Sequence, residues 1–247
     1  MPELPEVETV KNALKAKLVG RVILSALVYW DNIIAYPSRK EFEEKIKNQR
    51  INFLERRGKF ILFVLDDYIL ISHLRMEGKY YFKDKDYLKS KHNHVIFTLD
   101  NDTLLVYDDT RKFGKMYLIE KDKIDKVGPL SKLGCEPFSF ELNVSYLRKK
   151  YKNKKLPIKT VLLDQSIITG IGNIYDDEIL FKSGISPYRR SCDISIDECD
   201  EIIKNTREVL SAAIKLGGTT IKSFTSSEGV HGLFQNKLLV HGKKDEA

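Results

Sequence analysis

The chain has 247 residues, with 42 lysines and arginines against 35 aspartates and glutamates, a formal charge of +7. That length holds one large or two modest domains with real cores, and the charge favours an anionic partner without specifying one. Three cysteines without a CxxC pair argue against a disulfide framework, no apolar run reaches the roughly 18–20 residues that cross a bilayer, and no basic-then-apolar leader opens the chain, so a cytoplasmic protein is expected.

In chain order, the first predicted element is an amphipathic helix over 4–18, with Val7, Val10, Leu14 and Leu18 at helical spacing. From Arg21 to about Glu120 the sequence becomes a series of short β-type runs: RVILSALVY, INFLERR, KFILFVL, YILISHLR, KYYF, HVIFTL, TLLVYD and KMYLIE. Turn pairs such as Asp66-Asp67 and Asn101-Asp102 separate them, and one helix interrupts them where Ser38 and Glu41 form a capping-box pattern. A segment with Gly128, Pro129, Gly134 and Pro137 marks a boundary, after which the period turns helical over 143–152, 159–165 and 173–183. A long helix follows, capped by Ser195 with Glu198 and stopped by Gly217-Gly218. Its apolar stripe runs through Cys199, Ile202, Ile203, Thr206, Val209, Leu210, Ala213 and Ile214, which places Cys199 in a core. The expected fold class is α+β: a β-sandwich with a leading helix over 1–125, a linker over 126–142, and a mainly helical domain over 143–247. The two halves carry similar charge, 23 basic against 20 acidic residues and then 19 against 15. Neither half alone is the electrostatic partner, which suits a ligand lying in the cleft between them.

The opening Met1-Pro2-Glu3-Leu4-Pro5-Glu6 carries distinctive chemistry. Removal of Met1 exposes a secondary amine with a carboxylate beside it. A free α-amino group has a pKa of about 7.7–8.0, against about 10.4 for lysine, so much more of it is neutral and nucleophilic near pH 7. A secondary amine that attacks a sugar C1′ becomes an iminium with no N–H to lose, so it persists as a cationic electron sink. The plainer reading is that Pro2 and Pro5 only punctuate a helix start.

Further blocks follow: Arg56-Arg57-Gly58-Lys59, Ile71-Ser72-His73-Leu74-Arg75-Met76-Glu77-Gly78, Tyr107-Asp108-Asp109-Thr110-Arg111-Lys112-Phe113-Gly114 and Leu162-Leu163-Asp164-Gln165. The last ones are Gly170-Ile171-Gly172-Asn173-Ile174-Tyr175, Gly217-Gly218-Thr219-Thr220 and Gly232-Leu233-Phe234-Gln235. With the decapeptide MPELPEVETV, these blocks in this order resemble the formamidopyrimidine-DNA glycosylases, and the match runs along essentially the whole chain.

The resemblance implies a DNA glycosylase and abasic-site lyase that excises oxidised purines, 8-oxoguanine and formamidopyrimidines, from duplex DNA. Pro2 is then the nucleophile that displaces the base, and Glu3 the general acid/base. Lys59 contacts the reacting sugar phosphate and donates a proton. Glu6, three residues from Glu3 and on the same face of the helix, is balanced between a supporting catalytic role and a favourable charge at a helix start. Extrusion of the nucleotide costs a few kcal/mol and leaves a hole. Met76, Arg111 and Phe113 match the family's intercalating trio, and their glycine-flanked turns suggest exposed tips rather than core. His73, His92, Lys154, Lys159 and Asn173 fall where the family grips the phosphate backbone. Gly170 to Asn173 sit at the turn of a helix–two-turn–helix element, where helix-start amides suit a phosphate. His92 and His94 alternate on a strand and so share a face, without an evident third metal ligand. Residues 217–237 form the loop that closes over the extruded purine.

One feature departs from the family. Its four-cysteine zinc finger would begin beyond Gly242, and neither Cys135, Cys192 nor Cys199 has finger spacing. No cofactor is therefore expected in these residues, although zinc is expected of the family. The expected partner is damaged double-stranded DNA, bound by a monomer, with no membrane. Two other readings remain: an endonuclease VIII-like enzyme for oxidised pyrimidines, whose members tend to have glycine at the position of Leu4, and a non-catalytic binder of damaged DNA.

Overall fold

The computed structural model describes residues 1–124, 126–219 and 232–243. Helix α1 spans Leu4–Leu18 and is followed by β1 (Val22–Val28), β2 (Ile34–Tyr36), α2 (Arg39–Lys45) and β3 (Gln49–Arg50). Strands β4 (Phe53–Arg57), β5 (Phe60–Val64), β6 (Tyr68–His73), β7 (Lys79–Asp84), β8 (Asn93–Leu99), β9 (Thr103–Asp108) and β10 (Lys115–Glu120) complete the β region. They make two five-stranded sheets, ordered β3-β1-β8-β9-β7 and β2-β10-β6-β5-β4. All pairings are antiparallel except β2 with β10. The expected sandwich is therefore present. Beyond the eight expected runs it holds β2 and β3, of three and two residues, too short to show any alternation.

Period-two alternation explains the packing. Ile61 and Phe63 of β5 point into the core between the sheets, with Val95, Phe97, Leu105 and Leu118. Leu62 faces outward with Ile71 and Ile119, where Ile124, Val127 and Leu130 cover it. Both faces of β5 are thus buried, so it reads as a continuous apolar run. The segment after β10 serves as a strap over the second sheet.

The helical part contains α3 (Val144–Tyr151), α4 (Ile158–Leu162), α5 (Asn173–Lys182) and α6 (Ile196–Lys215). Ser195 caps α6 in a capping box with Glu198, and Cys199 is fully buried, as expected. The turns between α4 and α5 are stitched by Gln165, whose amide donates to Ile171 O at 2.8 Å and whose carbonyl accepts from Gly170 N–H at 2.8 Å. A returning segment lays Phe234 into this second core, and Glu178 accepts the N–H groups of Leu239, Val240 and His241. No helix among the described residues is long and apolar enough to cross a membrane. Most of the expected loop over 217–237 lies outside the described residues.

Helix α1 joins the two halves. Val7, Val10, Leu14 and Leu18 belong to the sandwich core, whereas Leu4 belongs to the helical core. The amino end of the chain is thereby placed at the junction.

Candidate active site

Glu3 is the N-cap residue of α1, with extended backbone, and Leu4 N–H donates to Gly170 O at 3.0 Å. This pairing presses the helix start against the start of α5. The Glu3 carboxylate, 3% exposed, accepts from the N–H groups of Gly172 at 2.7 Å, Ile174 at 3.0 Å and Tyr175 at 3.4 Å. The first amides of a helix lack partners within it and favour a negative group. Here a carboxylate 169 residues earlier in the chain supplies that group. Gly172 is required by close approach: a Cβ there would lie 2.4 Å from Glu3 Cδ. Of the Gly170 to Asn173 amides expected to suit a phosphate, that of Gly172 is therefore taken by Glu3. Asn173 remains exposed at the first position of α5.

Glu6 is equally committed. Its carboxylate accepts from Glu3 N–H at 2.9 Å, Tyr175 Oη at 2.6 Å, Thr219 N–H at 2.8 Å and Thr219 Oγ1 at 3.1 Å. Gly218 lies against it in the left-handed region, φ +78°, where an added Cβ would meet Glu6 Oε1 at 2.6 Å. Glu6 therefore joins α1, α5 and the end of α6, which is more than a favourable charge at a helix start.

Lys59 occupies the turn between β4 and β5 and is 5% exposed. Burial pushes its amine below the ordinary lysine range, opposed by the negative charges of Glu3 and Glu6. Burial also raises the Glu3 carboxyl to about 7, a rise opposed by Lys59 and the α5 amides and reinforced by Glu6. A carboxyl raised to about 7 is suited to proton transfer around that pH, and the same burial favours the neutral form of the neighbouring amine. Pro2, next to Glu3 in the chain, is also buried, and the exposed Met1 holds its nitrogen in an amide. The structure thus brings Pro2, Glu3, Glu6 and Lys59 to one junction.

The intercalation candidates lie on two turns of the sandwich. The β6–β7 turn carries half-buried Met76 between Arg75, in the left-handed region at φ 55°, and Gly78. The β9–β10 turn carries Arg111 and Phe113, stacked with the guanidinium 4.8 Å from the ring centroid. Phe113 is 48% exposed. Asp109, fully buried, organises this second turn by accepting from Arg111 N–H at 3.0 Å, Phe113 N–H at 2.9 Å and Gly114 N–H at 2.8 Å. The Thr110 hydroxyl donates to Glu77, tying the two turns together.

The remaining basic candidates are more dispersed. His73 is buried at the end of β6, edge-on to Phe60, and burial drives its pKa down to about 3. Its Nδ1 accepts Arg75 N–H at 2.9 Å, so the neutral ring carries its proton on Nε2. It can offer a phosphate one N–H but no charge. His92 lies in the turn before β8 rather than on the strand. His94, by contrast, is buried, with Nε2 2.8 Å from Asp109 O. The shared face expected for these two histidines is not formed, because the strand starts one residue later than their alternation requires and its register shifts between Asn93 and Val95. Lys154 stands 3.8 Å from Asp164, and Lys159 is bonded to Asp177 at 2.5 Å. Both lysines already have a carboxylate neighbour with which a phosphate must compete.

Among the described residues no group of three or more His, Cys, Asp or Glu could hold a metal ion, and all three cysteines are free. A four-thiolate zinc site does not fit these residues. Asp109 and Tyr175 are the site groups to which sequence reasoning assigned no role. Both stand inside the matched blocks, but only the fold shows which amides and carboxylates they meet.

Comparison with known proteins places this geometry among relatives. The formamidopyrimidine-DNA glycosylase N-terminal domain matches residues 1–116, and the formamidopyrimidine-DNA glycosylase H2TH domain matches residues 133–225. A formamidopyrimidine-DNA glycosylase of Cytobacillus firmus is 44% identical over 247 residues, covering 100% of this chain and 90% of the relative. The Lactococcus lactis Fpg, solved in complex with an abasic site containing DNA, superposes with a TM-score of 0.91 at 36% identity. That likeness covers 99% of this chain and 89% of the other. The wild-type Lactococcus lactis enzyme with an oxidized pyrimidine containing DNA gives a TM-score of 0.90 at 36% identity, covering 99% and 90%.

Proposed function

The chain belongs to the formamidopyrimidine-DNA glycosylase family, and from that premise we propose that Pro2 is the covalent catalyst of a base-excision DNA glycosylase and abasic-site lyase acting on oxidised purines. The observation that carries this reading is the burial of Pro2, Glu3 and Lys59, with Glu3 next to Pro2 in the chain and close enough to Lys59 for each charge to act on the other.

With Met1 removed, the Pro2 nitrogen attacks C1′ of the extruded nucleoside. An N–C1′ bond forms and the glycosidic bond breaks. Glu3, whose carboxyl titrates at about 7, supplies a proton to the departing base or to O4′ as the sugar ring opens. Loss of the amine proton and of the C1′–O4′ bond leaves the iminium. Its positive nitrogen acidifies C2′–H, and departure of that proton expels the 3′-phosphate by β-elimination. A second elimination releases the 5′-phosphate, and water then frees the Pro2 amine. Lys59 contacts the sugar phosphate and donates a proton during these steps. Met76, Arg111 and Phe113 fill the space left in the duplex, while His73, His92, Lys154, Lys159 and Asn173 meet the backbone around it.

Scission of an 8-oxoguanine duplex, with a thymine glycol duplex as the comparison, tests the substrate class. Faster cleavage at 8-oxoguanine supports the purine reading. The reverse preference supports the endonuclease VIII-like reading, which the Lactococcus lactis complex with an oxidized pyrimidine containing DNA keeps in view. Binding to an abasic-site duplex without any scission would point to the non-catalytic binder.

A further inference from the structure

The turn that presents Lys59 is held by a residue with no part in the chemistry described above. Glu136 follows Cys135, whose N–H donates to Ile167 O at 3.1 Å and whose carbonyl accepts from Thr169 N–H at 3.0 Å. This short parallel pairing fixes Glu136 beside the segment that leads into Gly170 and α5. From there its carboxylate reaches the β4–β5 turn. Oε1 accepts Gly58 N–H at 2.6 Å, Oε2 accepts from Arg56 Nη2 at 2.8 Å, and Arg57 Nη1 stands 3.3 Å from Oε1.

Arg56 completes the clamp. Its Nη1 donates to Gly58 O at 2.9 Å and its Nε to Glu8 Oε2 of α1 at 2.9 Å. Both peptide groups of Gly58 are therefore held, one by Glu136 directly and one through Arg56. The clamp is well shielded, with the side chains of Arg56, Glu8 and Glu136 only 10%, 18% and 20% exposed. Gly58 itself sits at φ +55°, and an added Cβ would lie 2.1 Å from Thr169 Oγ1. The next residue is Lys59. No hydrogen bond fixes its Nζ among the described residues, so the backbone of the turn sets where its side chain starts and the charges of Glu3 and Glu6 act on its amine. Surface ion pairs are worth little alone, but a shielded, multiply bonded carboxylate that orders a turn is a different case.

We propose that Glu136 is a positioning residue for Lys59, holding the Gly58 amide and the Arg56 guanidinium so that the β4–β5 turn aims the Lys59 amine at the reacting sugar. This inference rests on the role given to Lys59 above.

The test is a double-mutant cycle read by single-turnover scission of an 8-oxoguanine duplex, with affinity measured on a duplex carrying a stable tetrahydrofuran abasic analogue. Glu136→Ala is expected to slow scission by about 10- to 100-fold, the cost of a misplaced reacting group, while affinity changes by less than about twofold. Glu136→Gln retains an acceptor for Gly58 N–H and is expected to recover most of the rate, which separates loss of position from loss of fold. In a Lys59→Met background, Glu136→Ala is expected to leave the residual rate unchanged. An equal loss in both backgrounds would overturn the inference while leaving the Pro2 chemistry untouched. A wild-type rate for Lys59→Met would remove the Lys59 role and this inference together, and borohydride trapping of the Pro2 adduct would still report independently on the nucleophile.

Discussion

The junction around Glu3 and the β9–β10 turn of the sandwich are held by the same device and put to opposite use. In each, a buried carboxylate collects three backbone N–H groups: Glu3 those of Gly172, Ile174 and Tyr175, and Asp109 those of Arg111, Phe113 and Gly114. Asp109 binds amides two to five residues away, so its turn is a local object that projects an exposed Phe113. Glu3 binds amides about 170 residues away and is itself the acid proposed for the reaction. The difference teaches that rigidity is supplied locally where a side chain must reach out, and by docking of two domains where an acid must be kept dry. Variants at the junction should therefore affect rate, and variants at the wedge should affect affinity.

The largest effect is expected from Glu3→Gln, which removes the acid. Excision of 8-oxoguanine should fall by about 10²- to 10⁴-fold in single-turnover assays, with abasic-duplex affinity retained. Equal losses of rate and affinity would erase the distinction between the regions. Gly172→Ala attacks the same point from the other side, since its new Cβ would lie 2.4 Å from Glu3 Cδ. Slower excision and a loss of about 1–3 kcal/mol in stability are expected, measurable by denaturant unfolding. Unchanged stability would mean that the close approach is relieved without cost.

At the wedge, Asp109→Asn places an NH₂ group against N–H donors. The Kd for a lesion duplex should rise about tenfold, the worth of roughly one charge-assisted hydrogen bond, with the rate on bound DNA retained. A lost rate with unchanged Kd would reverse the assignment. The smallest effect concerns pH. The Glu3 carboxyl is raised from an ordinary 4.5 to about 7, mainly by burial. Below pH 4.5 both the folded and unfolded forms hold the proton, and its contribution to stability is complete. As pH rises through about 7, the unfolded chain has already ionised and the folded one must follow, so that contribution is lost. Melting of the wild type should accordingly fall by a few degrees relative to Glu3→Gln between pH 5 and 8. A constant difference would place the Glu3 carboxyl in its ordinary range.

Much of the architecture was legible because local patterns decide it. The apolar spacing of Val7, Val10, Leu14 and Leu18 marks α1, and Ser195 with Glu198 marks the start of α6. The glycine-flanked turns that carry Met76 and Phe113 were readable for the same reason. What stayed hidden depends on distant contacts. Nothing near Gly172 announces that Glu3 will take its amide, so the helix start looked open to a phosphate. His92 and His94 looked like strand neighbours because alternation gives no sign of where a strand begins. The grip of Glu136 on Gly58 spans 78 residues and leaves no periodic trace.

The most direct measurement is borohydride trapping on 8-oxoguanine DNA, followed by peptide mapping of the adduct. Chain freed of Met1 should yield one crosslinked species, with the sugar on the Pro2 nitrogen, and chain that keeps Met1 should yield none. An adduct mapped to Lys59, or trapping of equal yield when Met1 is retained, would contradict the account.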